Sequence, residues 1–90
     1  MASFCWPSDL RIKTKADVMR FMDKTSGEMY FTDGVNDYCF EKRPKGEGEI
    51  SYRSVTERGD IFSPYFGVSR DEAEQIIWKN RKAINEFLRR

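Results

Sequence analysis

The chain has 90 residues, no histidine, two cysteines and a net charge of +1 at pH 7. That length makes one domain, residues 1–90, and the near-neutral balance gives no general pull toward nucleic acid or anionic membrane. The missing histidine removes the usual general base near neutral pH and the commonest metal ligand. Seven Phe, four Tyr and two Trp are enough to fill one modest core, although 34% of the chain is charged.

Residues 1–13 read as an irregular segment with a short extended piece at Leu10-Arg11-Ile12, and without the charged region and apolar run of a signal peptide. Thr14 is placed to cap a helix, and Asp17 adds negative charge to its first turn. Val18, Met19, Phe21 and Met22 give that helix an apolar side, and Thr25-Ser26-Gly27 stops it, Gly27 suiting a left-handed cap. Residues 29–32 read as a strand and Asp33-Gly34 as a turn. Residues 37–43 make a second strand, with Tyr38 and Phe40 on one face and Cys39 and Glu41 on the other.

After a loop at residues 44–48, residues 49–57 alternate Ile50, Tyr52, Ser54 and Thr56 against Ser51, Arg53, Val55 and Glu57. Arg58-Gly59-Asp60 spells an integrin-binding tripeptide, which a hairpin turn explains as well. Residues 61–68 form the last strand, where Pro64 marks a sheet edge or a bulge. Ser69 and Glu72 then match a capping box that opens one long helix over residues 69–90. Its apolar stripe is Ala73, Ile76, Ile77, Ala83, Ile84, Phe87 and Leu88. Asn80 interrupts that stripe and needs hydrogen-bond partners, either backbone carbonyls or an ordered water, unless the stripe is less buried there. The order α-β-β-β-β-α with short sheet connections predicts an α+β two-layer sandwich. Its sheet is a four-stranded antiparallel meander, with the N- and C-terminal helices on one face.

Few residues offer chemistry. Cys5 and Cys39 cannot make a disulfide framework or a four-ligand zinc site. Gly46-Glu47-Gly48 lacks the strand-turn-helix context of a phosphate loop. Carboxylate or magnesium chemistry has candidates in Asp33, Asp37, Glu41, Asp60, Asp71 and Glu72. Asp33 and Asp37 flank the first hairpin and could share a cation, but turns favour Asp for its local backbone bonds. The expectation is a protein that is not an enzyme, with no catalytic residues, no metal and no cofactor. No apolar stretch approaches the ~20 residues that cross a membrane, and a cytoplasmic location with reduced thiols is expected.

Binding surfaces are more promising. At about 100° per residue Trp78 points away from the helix stripe, among polar and basic residues. It is offered to a partner or covered by Phe4-Cys5-Trp6-Pro7. Residues 75–90 carry five cations against Glu86, a net +4, whereas residues 25–41 carry a net −4. The favoured reading is a small binding protein acting on another protein through Gln75, Trp78, Lys79, Lys82, Asn85 and Arg89. Trp and Arg are typical anchors of such contacts. Its size suits an inhibitor, adaptor or regulator, of the kind phage and mobile elements aim at host nucleic-acid enzymes. The alternative is a nucleic-acid-binding module using the basic helix end and the sheet residues Lys42, Arg43, Tyr52 and Arg53, since aromatics beside Arg can stack bases. An unpaired sheet edge could also join two copies as a homodimer.

Overall fold

The computed structural model describes residues 4–58 and 64–89. Helix α1 spans Lys15–Lys24. The Asp17 carboxylate reaches back to accept from the backbone amides of Lys13 and Thr14 at 2.9 Å each, and so anchors the chain where the helix begins. Val18, Phe21 and Met22 are buried at helical spacing. The Thr25 hydroxyl donates to the Phe21 carbonyl at 2.7 Å. Gly27 follows with φ at +93°, a conformation that costs glycine little, and turns the chain into the sheet.

Strands β1 (Gly27–Thr32), β2 (Asn36–Lys42), β3 (Gly48–Ser54) and β4 (Phe66–Gly67) form one sheet in the order β1-β2-β3-β4. Every neighbouring pair is antiparallel, so the expected meander is what forms. The first hairpin closes on Asp33, whose carboxylate accepts from the amides of Val35 and Asn36 at 2.8 and 2.7 Å. Met29, Phe40 and Ile50 lie directly opposite one another across three strands and are all buried. This row defines the inner face. Gly48, two residues from Ile50 on the same face, runs so close to Phe40 that an added Cβ would sit 2.6 Å from its ring.

Two strands are shorter than the sequence pattern predicts. β3 stops at Ser54, whose hydroxyl accepts from the Thr56 amide at 3.3 Å and caps a 3-10 turn over Val55–Glu57. β4 is only two residues long and begins after Pro64, which has no amide hydrogen for the ladder. Gly59 and Asp60 of the expected turn, and residues 61–63 of the expected strand, lie outside the described residues.

The predicted long C-terminal helix is two helices, α2 (Arg70–Lys79) and α3 (Arg81–Leu88), meeting at Asn80. The Asn80 side-chain amide donates to the Ile76 carbonyl at 2.8 Å, beside the residue's own backbone amide at 3.0 Å. An amide side chain that bonds the preceding turn competes with the helical ladder, and here φ and ψ leave the helical region at −104° and 16°. Asn80 thus finds the carbonyl partner it was expected to need. The stripe survives in two pieces: Ala73, Ile77, Ile84 and Leu88 are buried, with Ile76 and Phe87 packed on them. Ala83 drops out and is exposed.

The helices cover one face of the sheet. α1 packs on α2 and β3, α2 on β3, and α3 on β1. Phe21 of α1 meets Phe40 of β2 with ring centroids 4.6 Å apart. Each is fully buried, a contribution of roughly 1.5–3 kcal/mol apiece. Among the described residues before α1, 4–14, there is no helix or strand beyond a single bridge at Cys5, but the segment is part of the core. Leu10 and Ile12 are buried, and Cys5 exchanges two backbone hydrogen bonds with Ser26 at 2.8 and 3.0 Å. The Trp6 indole donates to the Leu88 carbonyl at 3.0 Å. Asn85 clips the segment down: its side chain accepts from the Ile12 amide at 2.8 Å and donates to the Ile12 carbonyl at 3.0 Å.

Candidate functional site

Helices α1 and α2 leave an open groove of about 420 Å³ between them. Its apolar floor is Val18 and Met19 from α1 and Trp78 from α2, and its rim carries Lys15, Asp71, Glu74, Gln75 and Lys79. Met19 is 38% exposed, because it lies roughly 60° beyond Met22 on the helix wheel, at the border of the buried stripe. Trp78 is half-buried and packs against the core. The Arg81 guanidinium sits over its ring, 4.0 Å from the centroid, and donates to the Trp78 carbonyl at 2.9 Å. A cation held on the ring face by a second bond favours this orientation of the indole.

Of the six residues read from the sequence as a docking face, Gln75, Trp78 and Lys79 meet in this groove. Lys82 on α3 and Arg89 at its C-terminal cap are exposed, beyond the Asn80 break, and do not line it. Asn85 is corrected to a structural role, since both ends of its side-chain amide are committed to Ile12. The N-terminal segment does fold over the C-terminal helical region, but onto α3. Trp6 packs against Phe87 at 5.5 Å and Phe4 against the same ring at 5.8 Å, so Trp78 faces the groove instead. Met19 and Arg81 were missed. The signal for Met19 was its border position on the wheel, and for Arg81 its i+3 spacing from Trp78.

The alternative nucleic-acid residues do not share a surface. Tyr52 and Lys42 face inward. Lys42 is only 8% exposed, and its ammonium donates to the Arg43 carbonyl at 2.9 Å. Arg43 is held by Glu41 at 3.0 Å. Arg53 turns to the outer face, where its guanidinium lies 4.7 Å from the centre of the Tyr65 ring. Glu28, Glu41 and Glu49 stand directly opposite one another across β1, β2 and β3 on that same face. A row of carboxylates repels phosphate.

The two hairpin carboxylates are already engaged. Burial opposes ionisation of Asp33, but the Asn36 and Val35 amides and the Tyr38 hydroxyl hold its carboxyl below the usual range. Asp37 accepts two bonds from Arg58 at 2.9 Å each, and these hold its carboxyl below the ordinary value. Among the described residues no three of His, Cys, Asp and Glu are grouped to hold a metal ion. Tyr30 and Cys39 are opposite each other on β1 and β2. Thiolate charge on Cys39 would push the Tyr30 phenol up, and burial pushes the Cys39 thiol up, so this pair stays protonated near neutral pH. No known protein family, curated protein sequence or solved structure matches the chain.

Proposed function

We propose that the protein works by docking on another protein through the α1–α2 groove, and that it acts by contact rather than by catalysis. The observation that carries this reading is Trp78 held in place by Arg81 beside an exposed Met19. A rigid aromatic and an adaptable thioether side by side form a receptive floor for apolar side chains. The occupant that suits a channel between two helices is an amphipathic helix, presenting apolar residues at i, i+3 and i+4 spacing. The rim carries both signs of charge, which favours a partner helix with mixed polar flanks over a uniformly charged one. An inhibitor, adaptor or regulator is the role that fits a small domain carrying such a surface.

Cys5 and Cys39 form no disulfide, which suits a reducing compartment, and the cytoplasm is the proposed site of action. Among the described residues no helix is long and apolar enough to cross a membrane. Nucleic-acid binding draws less support, because its four residues are divided between opposite faces of the sheet and the outer face carries the glutamate row.

The test is selection of binders from a library of displayed helical peptides. Selected sequences should share the i, i+3, i+4 apolar pattern. The Trp78→Ala variant, shown by circular dichroism to be folded, should lose binding at least tenfold, equivalent to about 1.4 kcal/mol. Peptides that bind Trp78→Ala as well as the parent would remove the groove from the function. A parallel anisotropy titration with DNA and RNA should show no binding at low salt. Steeply salt-dependent affinity there would replace this reading with the nucleic-acid one.

A further inference from the structure

The free edge of β1 is bounded on both sides, and its sequence is complementary to itself. At one end Ser26 exchanges both backbone bonds with Cys5 on the outer side of the strand. At the other the Asp33 amide donates inward to the Asn36 carbonyl at 3.2 Å, inside the hairpin. Backbone groups alternate direction along an antiparallel strand, and the two ends agree. Glu28, Tyr30 and Thr32 therefore turn their amides and carbonyls outward, and among the described residues no segment pairs with them. Between residues 28 and 32 the strand has no Lys, no Pro and no bulge, and its one charge, Glu28, stands at the end of the open stretch.

We propose that this edge pairs with the same edge of a second copy, in antiparallel register centred on Tyr30. In that register Tyr30 meets Tyr30 of the second copy, Glu28 meets Thr32, and Met29 meets Phe31. No charge faces a like charge, and each cross-strand pair is aromatic, apolar or polar with a neutral partner. Residue 26 would face residue 34 of the second copy, but Cys5 already holds that place. The open length therefore ends where the hairpin turn of the second copy would begin. Three residue pairs exchanging two bonds each close the seam, and the two sheets become one of eight strands. Tyr30, 58% exposed on the outer face, is covered by its symmetry mate. Five residues per copy form a small contact beside the ~1,200–2,000 Å² of a stable interface, so association is expected at high protein concentration and fast in exchange.

Sedimentation velocity across a micromolar to millimolar concentration series tests this. The expected result is a concentration-dependent rise toward twice the 10.6 kDa of one chain. Tyr30→Lys places two cations opposite each other at the centre of the seam and should hold the protein monomeric throughout, with an unchanged circular dichroism spectrum. Photo-oxidative cross-linking should join Tyr30 to Tyr30, identified by mass spectrometry. A protein that stays monomeric over the whole series refutes the pairing. A dimer that survives Tyr30→Lys, or cross-links that omit Tyr30, would place the contact elsewhere. Trp78→Ala should leave the dimer intact, which separates this edge from the groove.

Discussion

Asn85→Ala removes the clip that ties the N-terminal segment to α3. Two hydrogen bonds disappear, at 2.8 and 3.0 Å, each with a net value of about 0.5–1.5 kcal/mol. The Ile12 backbone is left behind in a residue only 1% exposed, and a buried amide or carbonyl without a partner costs about 1–3 kcal/mol. Local relaxation and entry of water recover part of that, so a net destabilisation of about 2–3 kcal/mol follows. For a domain of this size that lowers Tm by about 8–24 °C, read by circular dichroism or calorimetry. Asn85→Asp gives a sharper test. An ionised carboxylate still accepts from the Ile12 amide but faces the Ile12 carbonyl with a second negative oxygen. Protonated, it can donate to that carbonyl. Its folded pKa is therefore raised above the unfolded value, and the stability it adds is present at low pH and lost as pH rises through the folded pKa. Asn85→Asp should thus recover toward the parent on acidification, relative to Asn85→Ala. A melt of Asn85→Ala within ~0.5 kcal/mol of the parent, the range of ordinary surface changes, would refute the clip.

Gly48→Ala drives a methyl group to 2.6 Å from the Phe40 ring, and Phe40 is locked against Phe21. A loss of about 1–3 kcal/mol is expected, measured by urea denaturation, and Gly46→Ala in the neighbouring loop, where the nearest contact is an ordinary 3.5 Å, should change little. Asp37 is held below the usual carboxylate range by Arg58. Its depressed folded pKa means the pair helps the fold above the unfolded pKa of about 3.9 and stops helping as pH falls through the folded value. Arg58→Met should move the Asp37 carboxyl upward in an NMR titration, and an unmoved titration would show that the pair does not form in solution.

Much of the architecture was legible because it follows from local rules. The caps at Thr14 and Ser69 fixed where helices begin, Asp33-Gly34 fixed the hairpin, and period-2 alternation put Tyr38 and Phe40 on the face that became the core. Trp78 was legible as an anomaly for the same reason: a helix wheel needs only the sequence. Asn80 was legible as an anomaly but not as a break. Whether an amide inside a stripe bends the helix depends on which carbonyl it reaches, and that is geometry. Lys42 was misplaced because its residue type points to water, although alternation puts it on the face of Tyr38 and Phe40; its aliphatic stem lines that inner face and its ammonium finds a carbonyl.

By itself, the sequence determined the element types, their order, the antiparallel sheet and the absence of histidine chemistry, since each depends on neighbours a few residues apart. Only the tertiary structure decided what the N-terminal segment covers, because residues 73 to 82 positions apart must meet for Asn85 to clip Ile12 and Leu88 to accept from Trp6. That choice sent Phe4 and Trp6 to α3, left Trp78 facing the groove beside Met19, and turned one residue of the expected docking face into structure. Contacts at such separation are selected by how the whole core closes, and no local pattern in the chain encodes them.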